Sequence, residues 1–287
     1  MKRIIFIIAC FVLMGAQVLA QQLAPYKGNA RAAVSYTFDD GLVEHYTMVL
    51  PHLDALGIKG TFWIIANNID IKKPMADHQP MTWANVKEMA KHGHEIASHG
   101  YTHTALNEIS PAQREREMEM NDSAIYQYVG VHPVSFCFPG NGRNDEIIAQ
   151  VLAHKGITGA RTYEKGVGGG MDVDAIDAWL RDEMEHGRWA VAMIHGITHG
   201  WDRFDNPEAL WLHLQHAKAL ADTGQLWIAT FAEVTAYQKG LSKIATYTFD
   251  KRPKRIVQKG KRLKPYKSWD GTWCVDALRG VRMTVKY

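Results

Sequence analysis

Cysteine is scarce in this chain: three in 287 residues, of which only Cys137 and Cys274 lie beyond residue 20. So sparse a set excludes a disulfide-stapled scaffold, and stability must come from a hydrophobic core. Long apolar runs are missing too. The stretch 4–14 is too short and too poorly flanked for a membrane span. The net charge of only +3 hides a strong polarity, because residues 241–287 carry 13 Lys and Arg against 3 Asp, whereas 21–240 carry 18 basic and 27 acidic residues. That basic end has no recognisable nucleic-acid-binding pattern, so nucleic acid is not an expected partner.

What is present fits one catalytic domain with additions at both ends. Residues 1–20 have the basic start, apolar middle and small-residue end of a secretory signal, which predicts an exported protein, periplasmic or extracellular, with no stable span in the mature chain. Residues 21–240 alternate strand and helix signals. Strands are expected at 32–38, 60–65, 95–98, 134–138, 157–161, 190–195 and 226–229, and helices at 43–56, 82–91, 111–128, 145–154 and 207–221. Such alternation predicts an α/β fold with parallel strands and outer helices. Residues 241–287 form a third segment, a short basic β-rich extension with strand signals at 244–249 and 281–285.

Thr37-Phe38-Asp39-Asp40-Gly41 ends the first strand signal with two adjacent carboxylates where strand gives way to loop. Successive strand side chains point to opposite faces, so both can serve one site only if the chain is already turning, which Gly41 permits. Adjacent ionised carboxylates repel, and a site that keeps both charged usually neutralises one with a cation. The segment His94-Glu95-Ile96-Ala97-Ser98-His99-Gly100-Tyr101-Thr102-His103 adds two histidines, and imidazole suits zinc and similar divalent ions. One carboxylate with His99 and His103 makes three protein ligands and leaves a position open, as in catalytic zinc sites. A later apolar run ends in His195-Gly196, a natural place for a proton donor. Singly, an Asp-Asp-Gly is commonly a turn and a histidine ending an apolar run commonly sits in the core. Together, in this order, they point to a metal site.

On these motifs the chain resembles the polysaccharide deacetylases of the NodB homology type, carbohydrate esterase family 4, from about residue 32 to about residue 240. The resemblance implies an irregular (β/α) barrel of about seven strands. It implies a metal-dependent hydrolase that removes acetyl groups from N- or O-acetylated carbohydrate, with chitin-type, peptidoglycan or xylan-type glycans as substrates. Carried over residue by residue, Asp39 is the general base, Asp40, His99 and His103 hold one divalent ion, and His195 is the general acid. Zinc is the expected ion, with cobalt, nickel or manganese as alternatives.

The family's third motif usually reads like F-R-x-P-Y-G, with an arginine that orients the catalytic aspartate and a backbone N–H after the proline that contacts the oxyanion. Here it is Phe136-Cys137-Phe138-Pro139-Gly140-Asn141-Gly142, so Gly140 keeps the N–H while Cys137 stands in place of arginine. Either Arg161 or Arg143 is then expected to bring the guanidinium from elsewhere. The resemblance also implies an aspartate behind His195 and a tryptophan in the pocket wall; Asp174, Asp177 and Trp179 lie in that region, with Asp177 the choice of carboxylate, and Trp201, shortly after His195, is a candidate to line the substrate pocket beside it. The missing arginine leaves two other readings open: a related C–N hydrolase acting on a cyclic amide or formamide, and a metal-containing glycan-binding protein without turnover. The basic extension is either a solvated β extension that docks on the acidic catalytic domain or a tether that holds an anionic envelope polymer through charge.

Overall fold

The computed structural model describes residues 21–71 and 79–287, so the signal expected over 1–20 lies outside the described residues. After a two-residue strand β1 (Gln22–Leu23) comes β2 (Ala32–Phe38), buried along its whole length. Burial of both faces marks a strand inside a parallel α/β sheet. Alternation sorts its side chains. Ala32, Val34, Tyr36 and Phe38 join the larger apolar cluster, whereas Ala33 belongs to a second cluster with Trp63, Ala97, Cys137 and Val191. Ser35, Thr37 and Asp39 follow Ala33 on that second face.

To one side of β2 lie β3 (Thr61–Ile64), β4 (Glu95–Ser98), β5 (Ser135–Cys137) and β6 (Gly159–Arg161), in that order. To the other lie β8 (Trp189–Ile194) and, beyond it, the two-residue β7 (Lys165–Gly166). Strand β9 (Leu226–Ile228) pairs with residues 32–34, sharing an edge of β2 with β3, which pairs only at Thr37 and Phe38. Every one of these pairings is parallel. The result is a curled, open (β/α) sheet. All seven strands expected in the catalytic segment are present, and β7 is added to them; two residues are too few for periodicity to register.

Helices α1 (Leu50–Leu56), α2 (Trp83–Lys91), α3 (Pro111–Val129), α4 (Asp145–Ala153), α5 (Val173–Glu185), α6 (Glu208–Asp222) and α7 (Phe231–Gln238) connect the strands. Two of them go beyond the sequence reading. Helix α5 starts at Asp172, whose carboxylate accepts from the Ala175 N–H at 2.9 Å, and it buries Ile176, Leu180 and Met184 at helical spacing. Helix α7 opens on a Thr230/Glu233 capping box. The helix expected over 43–56 is interrupted: His45–Val49 form a π turn ahead of α1.

Beyond α7 the chain builds β10 (Ile244–Phe249), β11 (Arg255–Gln258), β12 (Lys261–Leu263), β13 (Tyr266–Lys267), β14 (Trp273–Leu278) and β15 (Met283–Lys286). They form two antiparallel sheets, β1-β10-β14-β13 and β12-β11-β15, over a small core of Phe249, Ile256, Val275 and Ala277. The extension is therefore a two-sheet unit that draws in β1, paired to β10 through Gln22 and Thr248. Neutral contacts fasten it to the catalytic domain. The Gly28 N–H donates to Thr246 Oγ1 at 2.8 Å, Tyr237 Oη to the Ala24 carbonyl at 3.0 Å, and Trp269 Nε1 to the Asn29 carbonyl at 2.9 Å.

Candidate active site

At the C-terminal ends of the parallel strands a cavity of about 480 Å³ is lined by Asp39, Asp40, His99, His103, Gly140, Arg161, His195 and Trp201. This is the end of the sheet where α/β enzymes assemble their chemistry. Asp39 prolongs the alternation of β2, and its backbone N–H extends the ladder by donating to the Ile194 carbonyl at 2.9 Å. Its carboxylate is gripped by Arg161 in a two-pronged ion pair, Nη1 to Oδ1 at 2.7 Å and Nη2 to Oδ2, with both side chains buried. Nη1 also donates to Thr37 Oγ1 at 2.8 Å, and the guanidinium carbon lies 5.4 Å from the Trp63 ring centre. Burial alone would raise the Asp39 pKa, but the Arg161 charge and hydrogen bonds outweigh it and hold the carboxyl below its ordinary value.

Arg161 reaches Asp39 because of register. It is the direct neighbour of Cys137 across β5 and β6, one strand further from β2. Arg143, the other candidate, is engaged elsewhere, donating to Asn141 Oδ1 at 2.7 Å and to the Thr162 carbonyl at 3.0 Å, and pairing with Glu164 at 3.3 Å.

Asp40 turns out of the strand direction with φ +75°, a left-handed conformation unusual outside glycine, which carries its carboxylate into the cavity beside that of Asp39. Its Oδ1 lies 3.5 Å from Nε2 of both His99 and His103, is buried, and has no hydrogen-bond partner among the described residues. A buried, unpartnered carboxylate oxygen facing two imidazole nitrogens fits a divalent ion. His99 presents Nε2 to that point while its Nδ1 faces the Cys137 carbonyl at 3.1 Å and Sγ at 2.8 Å, the kind of support that fixes a ligating histidine's orientation. His103, like Asp40, has a left-handed backbone, with φ +64°. Asp39, His99 and Cys137 also lie close enough to share an ion, but Arg161 occupies both oxygens of Asp39, which leaves Asp40, His99 and His103 as the better set.

His195 directly follows β8, with Nε2 3.8 Å from Asp39 Oδ2 and its ring edge-on to Trp201, centroids 4.4 Å apart. Its Nδ1 has no partner among the described residues, and Asp177 is not behind it. This corrects the sequence reading. Asp177 lies on α5, where Oδ1 pairs with His213 Nδ1 at 2.6 Å and Oδ2 with His216 Nδ1 at 2.7 Å, both on α6. The opposite nitrogen of His213 meets Tyr36 Oη at 2.9 Å, so Asp177 anchors a polar seam between helices and sheet.

Two residues absent from the sequence reading hold the His195 loop. Glu44 Oε2 accepts the backbone N–H groups of Ile197 and Thr198, each at 2.9 Å, and of His199 at 3.2 Å. Its other oxygen meets the Thr198 hydroxyl and His199 Nδ1. Buried His45 donates from Nε2 to the His195 carbonyl at 2.7 Å, and burial pushes its pKa down to about 4, which keeps it neutral. The loop is tight enough that a Cβ on Gly196 would sit 2.0 Å from the His199 carbonyl oxygen. Glu44 and His45 escape a sequence reading because a helix signal over 43–56 does not show that its first residues meet the loop after β8, 150 or more residues away in sequence.

Burial would raise the Glu44 carboxyl, but the Thr198 and His199 hydrogen bonds hold it down at about 2, against an ordinary 4.5. A lowered folded-state pKa stabilises above the unfolded value and loses that contribution as pH falls through the folded one. The melting-temperature gap between the wild type and Glu44→Gln is therefore expected to be full above pH about 4.5 and to close as pH falls towards about 2. A gap independent of pH would contradict this role.

Residues 27–160 match the polysaccharide deacetylase family. The Bacillus subtilis protein named "Putative polysaccharide deacetylase YxkH" is 36% identical over 92 residues, which are 32% of this chain and 31% of the relative. The bifunctional xylanase/deacetylase of Pseudobutyrivibrio xylanivorans is 30% identical over 98 residues, 34% of this chain and 15% of the relative. The aligned segment thus spans less than a third of either relative's length. Among solved structures, a family 4 acetyl xylan esterase from Clostridium thermocellum, in complex with a cobalt ion, superposes with TM-score 0.52 at 21% identity, covering 72% of this chain and 92% of that one. At that identity the likeness is one of fold. Residues 27–160 are thus similar to polysaccharide deacetylases, on a fold shared with that family 4 esterase.

Proposed function

We propose that this protein is an exported, divalent-metal-dependent deacetylase of N- or O-acetylated carbohydrate. The observation that carries the reading is one cavity in which the Arg161-paired Asp39 faces His195 beside the Asp40, His99 and His103 cluster. Zinc or another divalent ion held by that cluster would polarise the acetyl carbonyl and make a water proton easier to remove. Asp39 takes that proton, kept ionised and aimed by Arg161. The backbone N–H of Gly140, at the cavity wall, receives charge developing on the carbonyl oxygen. His195 gives a proton to the departing amine or alkoxide, and Trp201 closes the wall beside it. Export rests on the pattern of residues 1–20.

The two competing readings drew their weight from Cys137 in place of arginine. With the Arg161 guanidinium on the Asp39 carboxylate, that weight is removed. The test is acetate release from chitin oligomers, peptidoglycan fragments and acetylated xylan by the zinc- or cobalt-loaded protein. Release from at least one is expected, with His195→Ala reducing it by ~10²-fold or more. No release from any, with metal bound, would favour the C–N hydrolase or glycan-binding readings.

A further inference from the structure

The charge of the C-terminal unit is not spent on docking. Among the described residues no ion pair joins any Lys or Arg of 241–287 to a carboxylate, although the acidic catalytic domain lies against it. The contacts that hold the two together include the neutral hydrogen bonds above, Asn29 Nδ2 donating to Ser268 Oγ at 3.2 Å, and Arg279, which donates from Nη2 to the Tyr237 carbonyl at 2.9 Å and covers the Tyr237 ring. The extension docks on the catalytic domain, and among the described residues it does so without an ion pair from its Lys and Arg.

Four of them converge instead. Arg252 and Lys254, in the turn between β10 and β11, and Arg262 and Lys264, on β12 and just past it, line a cleft of about 620 Å³. Pro253, Leu263 and Pro265 complete the lining, and no carboxylate enters it. All four cations are exposed, and Lys254, Arg262 and Lys264 have no side-chain partner among the described residues. A concave surface lined by one sign of charge focuses its field and concentrates counter-ions of the opposite sign.

We propose that this cleft binds an anionic polysaccharide, a glycan carrying carboxylates or phosphates along its chain. Cations spaced around a groove suit a polymer with repeated charges, and the half-buried ring of Pro265 offers a C–H face to a sugar ring between them. The lining offers no aromatic platform for stacking bases: the adjacent Trp273 ring is already faced by Arg252 at 5.0 Å and Lys267 at 5.5 Å. Nor does a large apolar side chain project from the cleft for insertion into lipid, Pro253 being buried and Leu263 half-buried. The site does not depend on the deacetylase reading, since it shares no residue with the catalytic cavity.

The experiment measures binding of the full-length protein to polygalacturonate and to dextran phosphate at ~0.15 M salt, where exposed charges act only over ~8 Å. Neutral xylan, single-stranded DNA and anionic phospholipid vesicles are the comparison arms. Binding to at least one of the two anionic glycans is expected, at least tenfold tighter than to the comparison arms, with the two glycans separating carboxylate from phosphate recognition. The double variant Arg262→Ala/Lys264→Ala is expected to weaken that binding at least tenfold with unchanged melting temperature. Arg262→Lys is expected to retain most of it, since the charge is kept. Binding to neither glycan, equal binding by the double variant, or tighter binding to DNA or vesicles would overturn the proposal. The readout is binding, so absence of deacetylase turnover leaves it intact.

Discussion

Replacing Arg161 with methionine is expected to lower kcat/KM for deacetylation by ~10²–10³-fold and to destabilise the fold by about 3–5 kcal/mol. Both effects come from one ion pair. Asp39 is 1% and Arg161 2% exposed, so removing the guanidinium strands a carboxylate in a dry interior. Such a group protonates or moves, and either change disables it as a base. Arg161→Lys is expected to recover stability better than activity, because an ammonium supplies charge but cannot make the two parallel hydrogen bonds that aim the carboxylate. The cross-strand pairing of Arg161 with Cys137 adds a sharper test. The exchanged variant Cys137→Arg/Arg161→Cys is expected to exceed Arg161→Cys in activity, since a guanidinium from the adjacent strand again lies near Asp39. Wild-type kcat/KM in Arg161→Met, measured on protein shown to be folded, would exclude Arg161 from the site's function.

The second large effect is expected at Asp40. Asp40→Asn keeps the shape but removes the charge facing His99 and His103, and is expected to lower metal affinity by at least ~10²-fold and activity in step. Metal content by elemental analysis and activity are to be measured on the same preparations. Chelation of the wild type should abolish activity, and added zinc or cobalt should restore it. In Asp40→Asn, restoration should require far more metal. Full activity after exhaustive chelation would remove the metal from the account.

The five residues around Asp39 were legible because each ends or follows a strand signal and carries chemistry out of keeping with the apolar run before it. Gathering them into one cavity needed only the rule that parallel α/β sheets expose their strand C-termini at one end. Arg161 was half legible. The family resemblance implied an arginine where Cys137 stands, but not whether Arg143 or Arg161 replaced it, because that depends on the register of β5 against β6. Asp177 was misplaced for the converse reason: proximity in sequence to Trp179 says nothing about direction, and α5 turns its carboxylate towards His213 and His216. Glu44 and His45 were invisible because their partners, the Ile197 N–H and the His195 carbonyl, lie 153 and 150 positions away in sequence. In the C-terminal unit, strands of two to four residues crowded with Lys and Arg hide β11, β12 and β13 from any alternation test.

The measurement that bears most directly on the central claim is acetate release by the metal-loaded wild type beside Asp39→Ala, with bound metal quantified in both. Asp39 is paired with Arg161 and is not among the favoured ligands, so the account predicts that the variant keeps its metal and loses at least ~10³-fold in rate on whichever acetylated glycan the wild type accepts. Equal acetate release by the two proteins at equal metal content would contradict it.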